Sequence, residues 1–187
     1  MTYLTENNNN EADILAPIPP KRIIGIDPDL TKSGMALVAG GKLIDMKALS
    51  FPELLNFAKY ERLSGAIFVV EDVEHDKTTY HRANTNARQH ARIAQNVGQV
   101  KGVARVLVEC LESFGCNVVK IKPLTGPVKR RAKTDAEYFN RVMRWHGRTN
   151  SDMRDAALIA MHYDTIKALV ATNDKYKSGS RSNTTNV

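Results

Sequence analysis

Four acidic residues stand where carboxylates could work together. Asp27 closes the apolar run RIIGID (residues 22–27), and Glu71 closes AIFVVE (residues 66–71). Apolar runs of that length read as buried strands, and a buried strand rarely ends in charge without a reason. If the two strands are adjacent and parallel, their terminal carboxylates meet at one sheet edge. Asp152 and Asp155 lie three apart in a helical segment, so they share one helix face. In a first turn, the helix dipole favours their ionised form. Four converging carboxylates repel unless a cation holds them. Hard oxygen ligands at an open, hydrated site suit Mg²⁺, with Mn²⁺ as a substitute. Singly, each acid has a commoner explanation. An Asp after a strand is most often a turn or cap residue, and Asp152 and Asp155 read as ordinary first-turn acids. The joint pattern is what points to metal-assisted chemistry, and composition alone does not establish it.

Basic residues form a second group. Residues 75–92 (HDKTTYHRANTNARQHAR) combine Lys77, Tyr80, His81, Arg82, Arg88 and Arg92. Cations contact phosphates, and a tyrosine can stack on an unpaired base. The segment reads as a DNA-contacting loop leading into a helix, with a solvated polar loop as the alternative. Its histidines lack one-face helical spacing, which argues against a histidine metal site. Lys129, Arg130, Arg131 and Lys133 make a second basic stretch before Thr134. The whole chain of 187 residues has 27 Lys+Arg against 20 Asp+Glu, a net charge of +7. That balance favours a polyanionic partner, although a merely soluble basic protein shares it. Two cysteines without a CxxC pattern make a zinc centre an unsuitable reading and fit a reducing cytosol. No run approaches the ~18 apolar residues of a membrane span, and the N-terminal residues lack a signal-peptide pattern. We therefore expect a cytoplasmic protein with no membrane and no small-molecule cofactor.

Positioning the acids requires a sheet. Residues 35–39 (MALVA) and 42–47 (KLIDMK) flank Gly40-Gly41, a hairpin signal. Residues 117–122 (NVVKIK) read as a fifth strand, stopped by Pro123. Helices are expected over residues 52–61 and over residues 93–114. In the latter, Ile93, Val97, Val100, Ala104, Leu107, Leu111 and Phe114 form a core-facing stripe closed by Gly115. Thr134 and Glu137 make a capping box for a helix through Trp145, itself read as core, with Gly147 as its stop. Asn150-Ser151 caps a last helix running to Val170. The order implies an α/β domain with a mixed five-stranded sheet flanked by helices. It would occupy residues 21–171, between flexible tails at 1–20 and 172–187 that are too polar to order.

Four segments carry a family resemblance. GIDPDLTKSG resembles the first strand and turn of RuvC-like Holliday-junction resolvases, VVEDV their acidic strand end, and SDMRDAALIAMHY their DxxDA helix. GQVKGVARV, residues 98–106, resembles their GQARGVA segment. All four occur in the family's order across residues 22–165. The resemblance implies an RNase H-like fold and a homodimeric endonuclease that cuts four-way DNA junctions in recombination and repair. It also implies that Asp27, Glu71, Asp152 and Asp155 ligate two metal ions per active site. Lys129 and Lys133 match lysines that the family places beside the scissile phosphate, so they join the expected catalytic set. Products would be paired nicks with 5′ phosphate and 3′ hydroxyl. Gly98 and Gly102 fall on a helix near the family's dimer interface, which suggests close helix packing there, with packing against the sheet as the alternative. Departures are specific. Asp29 replaces a turn glycine and reads as a turn residue. Glu74 stands where the family has an aromatic that wedges into the junction, and the stretch from Glu71 to Gly98 is longer. Asp72 should face away from Glu71. Two other readings stay open: a general branched-DNA, flap or structured-RNA nuclease of the same fold, and a non-catalytic junction-binding protein.

Overall fold

The computed structural model describes residues 21–74 and 86–179. Strands β1 (Arg22–Asp27), β2 (Ser33–Ala39) and β3 (Lys42–Leu49) form an antiparallel meander. Gly40 and Gly41 both take positive φ, 56° and 73°, as a tight right-twisting hairpin requires. Helix α1 (Phe51–Glu61) then leads through a short 3-10 turn into β4 (Ile67–Glu71), which returns parallel to β1. Helix α2 (Ala87–Ser113) leads into β5 (Asn117–Ile121), parallel to β4. Three helices follow: α3 (Pro127–Thr134), α4 (Ala136–Met143) and α5 (Ser151–Gly179). The strand order β3-β2-β1-β4-β5 gives the mixed, five-stranded sheet flanked by helices expected from the sequence.

Side chains alternate across a strand, and here the alternation assigns faces. Ile24, Ile26, Phe68 and Val70 pack with Leu54 of α1 and with Leu107 and Leu111 of α2. Ile23, Ile67 and Val69 pack on the opposite face with Ile159, Ala160 and Tyr163 of α5. Continuing the alternation places Gly25, Asp27 and Glu71 on the α5 face. Two glycines let α5 lie flat against the sheet. A Cβ at Gly25 would stand 2.1 Å from the Ala156 carbonyl oxygen, and one at Gly34 would stand 2.0 Å from that of Asp152. The α5 residues that face Gly25 are correspondingly small, Ala156 and Ala160. This close approach sets the first turn of α5 over the carboxyl end of β1.

Several expectations need correction. The stripe on α2 is core only in its second half: Ala104, Leu107 and Leu111 are buried, whereas Val97 is 42% exposed. The reason is length. A 27-residue helix spans about 40 Å, while the five-residue strands beneath it span about 17 Å, so the N-terminal half runs past the sheet. A Cβ at Gly98 or Gly102 meets nothing within 4 Å, which disposes of packing against the sheet for these two. Residues 127–134, read as a basic stretch before a helix, are themselves helical, with Pro127 in the first turn, where its missing N–H costs nothing. The next helix is capped by Asp135, whose side chain accepts from the Tyr138 amide at 2.8 Å, and not by Thr134. Thr134 instead donates back to the Arg130 carbonyl. That helix ends at Met143 because Arg144 adopts a left-handed conformation, φ 52°, so Gly147 is not its stop. Trp145 is half-buried against the third core cluster and not fully core. Asn150 does cap α5, accepting from Met153 N at 2.8 Å. The helix continues to Gly179, past the end expected at Val170.

Candidate active site

Ile26 pairs with Val70 across the parallel β1–β4 ladder, so Asp27 and Glu71 follow side by side at its carboxyl end. The first turn of α5 brings Asp152 and Asp155 over them. Burial pushes the Asp27 carboxyl up to about 7, with the charges of Asp155, Glu71 and Asp152 adding to the shift and that of Lys133 opposing it. Asp155, Glu71 and Asp152, from two further elements, thus act electrostatically on Asp27.

Each acid is held. Glu71, itself buried, accepts from the Leu124 amide at 2.9 Å and from the Lys129 ammonium at 2.8 Å, both on Oε1. Asp155 is 1% exposed, and its Oδ2 accepts from Lys133 Nζ at 2.5 Å. Asp152 Oδ1 accepts from the Ser151 hydroxyl at 2.9 Å. Lys129 and Lys133 sit four apart on α3, which places both ammoniums on the same helix face. Burial works against the Lys133 ammonium, but the hydrogen bond to Asp155 and the charges of Asp155, Asp27 and Asp152 outweigh it and raise its pKa. Both lysines named from the sequence therefore meet the carboxylates named from the sequence.

Among the described residues, no three acids converge at metal-ligating spacing; ammonium groups stand on Glu71 and Asp155. The donor set nevertheless suits a hard cation. Asp155 Oδ1 is buried without a hydrogen-bond partner among the described residues, a free acceptor lone pair inside an acidic site. The Asp27 carboxyl is raised first by burial and then by the charges of Asp155, Glu71 and Asp152, which a cation there would offset. Asp27, Glu71, Asp152 and Asp155 could all offer oxygen to a divalent ion.

Other expected residues fall elsewhere. Arg130 is exposed and lines a cleft of about 400 Å³ beside Lys129, Lys133, Leu124, Thr125 and Gly126. Arg131 turns away, pairing with Asp135 and lying 4.3 Å from the Tyr138 ring centroid. Arg88 and Arg92 are exposed near the start of α2. Lys77, Tyr80, His81 and Arg82 lie outside the described residues. Asp29 is a turn residue as read: its Oδ1 accepts from Thr31 N at 3.0 Å. Asp72 accepts from the Glu74 amide, and Glu74 forms an ion pair with Arg105 of α2. Sequence reasoning missed two contributors. Leu124 acts through its backbone amide, which no side-chain pattern announces. Arg154, which the sequence pattern did not single out, is only 7% exposed.

No family model matches the sequence, and no curated protein matches it. Solved structures do. RuvC of Thermus thermophilus in complex with a Holliday junction substrate is 17% identical, with 75% of this chain and 90% of that chain covered and a TM-score of 0.41. A second structure of Thermus thermophilus RuvC is 18% identical, with 75% and 91% covered and a TM-score of 0.41. The yeast mitochondrial Holliday junction resolvase is 12% identical, with 78% and 80% covered and a TM-score of 0.35.

Proposed function

We propose that this chain is a divalent-metal-dependent endonuclease that resolves four-way DNA junctions by phosphodiester hydrolysis. One observation carries the reading: four carboxylates gather at the end of β1 and β4 under α5, with two lysines inserted among them. A protein that only binds junctions gains nothing from burying acids together, since buried charge costs stability unless paired. Asp27, Glu71, Asp152 and Asp155 would hold the metal, Mg²⁺ or Mn²⁺, with two ions per site. When bound, such ions supply Lewis acidity and a water acidic enough to attack a phosphodiester at neutral pH.

The chain's own groups have separable tasks. Leu124 N and Lys129 orient the Glu71 carboxylate. Lys133 is half-exposed, 46% at the side chain, so its ammonium can donate to a phosphate oxygen while staying on Asp155. Charge placed there stabilises the phosphorane-like transition state. Arg130 in the adjoining cleft, with Arg88 and Arg92 on α2, supplies phosphate contacts that fix the DNA backbone. The exposed Val106 and the open positions Gly98 and Gly102, spaced i, i+4, i+8 on one face of α2, suit a second copy of the chain. A symmetric dimer would place two sites on one junction and make paired nicks with 5′ phosphate and 3′ hydroxyl.

A second reading, a general branched-DNA nuclease, draws on Glu74. Its ion pair with Arg105 puts a charge where a stacking wedge would be needed. A substrate panel separates the two. Labelled four-way junction, flap and plain duplex are incubated with the protein in Mg²⁺, Mn²⁺ or EDTA. Paired metal-dependent nicks confined to the junction support resolution. Equal cutting of flaps moves the second reading to the front, and binding without cutting in either metal rejects both.

A further inference from the structure

The buried Arg154 has no assigned role, and its surroundings define one. Its guanidinium donates to the Thr149 carbonyl and to the Thr149 hydroxyl, the latter at 2.8 Å, and to the backbone carbonyl of Lys133. Every acceptor is neutral. A buried guanidinium with neutral partners is a costly way merely to fill space, so the geometry of its contacts matters. Lys133 lies in the last turn of α3, where carbonyls lack intrahelical donors. Arg154 satisfies one of them from α5.

The same lysine is also held at its other end, because Lys133 Nζ sits on Asp155, the residue next to Arg154. A closed loop results: Arg154 grips the Lys133 backbone, Lys133 reaches forward, and its ammonium returns to Asp155. A lysine at a frayed helix end would sample more rotamers, and its ammonium would leave Asp155 more often. Fixed at both ends, its ammonium keeps one side on Asp155 and the other towards the cleft lined by Arg130 and Gly126.

We infer that Arg154 is a positioning residue that clamps the end of α3 and so aims the Lys133 ammonium at the carboxylate site. Its consequence for cleavage rests on the proposed function, whereas the clamp itself does not. Lys129 provides an internal control: it sits on the same helix but pairs with Glu71, outside the loop that Arg154 closes.

The clamp is tested without DNA. The full chain and Arg154→Met are reductively methylated in EDTA, and each lysine is followed by peptide mass spectrometry, with exposed Lys42 as reference. Lys133 should react about tenfold faster in the variant, the loss of one charge-assisted constraint, while Lys129 stays within about twofold. Equal acceleration of Lys129 and Lys133 would mean that Arg154 only stabilises α3, and no change would mean that it holds nothing; either overturns the inference. Arg154→Gln, which retains donors, is read by the same criteria if Arg154→Met does not fold. If the protein cuts junctions, Arg154→Met should slow single-turnover cleavage about tenfold in the natural background but less than about twofold when Lys133→Met is already present. Equal slowing in both backgrounds contradicts the assignment. Failure of the natural protein to cut would count against the nuclease reading alone, with the methylation pattern still deciding the clamp.

Discussion

Replacing Asp27 by Asn should stabilise the metal-free protein, and the gain should grow with pH. Asp27 is held in the folded chain at about 7 against its ordinary 3.8. An acid whose folded pKa is raised gives up its proton first in the unfolded state. Between about pH 4 and pH 7 the folded form therefore binds more protons, so stability falls as pH rises through that window. Above pH 7 the full penalty persists, and below pH 4 it vanishes. At 1.36 kcal/mol per pKa unit, the rise corresponds to about 4 kcal/mol at pH 8 and roughly 1.5 kcal/mol at pH 5. Asn carries no such cost. The stability gap between Asp27→Asn and the natural chain should thus widen by about 2.5 kcal/mol from pH 5 to pH 8. For a domain of this size, that is roughly 5–10 °C in midpoint. Thermal unfolding of both proteins in EDTA at the two pH values measures it. A gap constant to within about 0.5 kcal/mol, or one that narrows, would refute the picture of a crowded carboxylate site.

Other expectations follow from the same geometry. Gly25→Ala or Gly34→Ala should destabilise the fold by about 1–3 kcal/mol through overpacking against α5, seen in denaturant titration, and should abolish cleavage by lifting Asp152 and Asp155 away from Asp27. Lys129→Met strips the buried Glu71 of its charged partner, so denaturant unfolding should show a loss of about 1.5–3 kcal/mol at pH 8. Arg130→Ala should lower the slope of log affinity against log salt by about 1 for every DNA tested, without changing which structures are cut.

The sheet was legible because each strand announces itself in two ways, by apolar character and by its punctuation. Gly40-Gly41 marked the hairpin, and Asp27 and Glu71 marked strand ends that turned out to be neighbours. The acids were legible as candidates only jointly: Asp27 and Glu71 close two apolar runs, and Asp152 and Asp155 share one helix face. Helix α3 was not legible, since KRRAK offers one buried residue, Ala132, and otherwise reads as solvated charge. Only Pro127 hinted at a helix start. The reach of α2 past the sheet could not be seen either, because an apolar stripe looks the same whether its partner is this chain's core or another surface. Arg154 escaped for a further reason. Its partners are a loop threonine and a helix-end carbonyl, and backbone acceptors leave no trace in residue identity.

The central claim is that these carboxylates perform the cutting. It is tested most directly by single-turnover cleavage of a labelled four-way junction in Mg²⁺, comparing the natural chain with Asp27→Asn, Glu71→Gln, Asp152→Asn and Asp155→Asn. Junction affinity is measured alongside, without metal. The account predicts metal-dependent nicks from the natural chain and cleavage lowered at least about a hundredfold in each variant, with binding retained. Cleavage at the natural rate in Asp27→Asn or Asp155→Asn would contradict it.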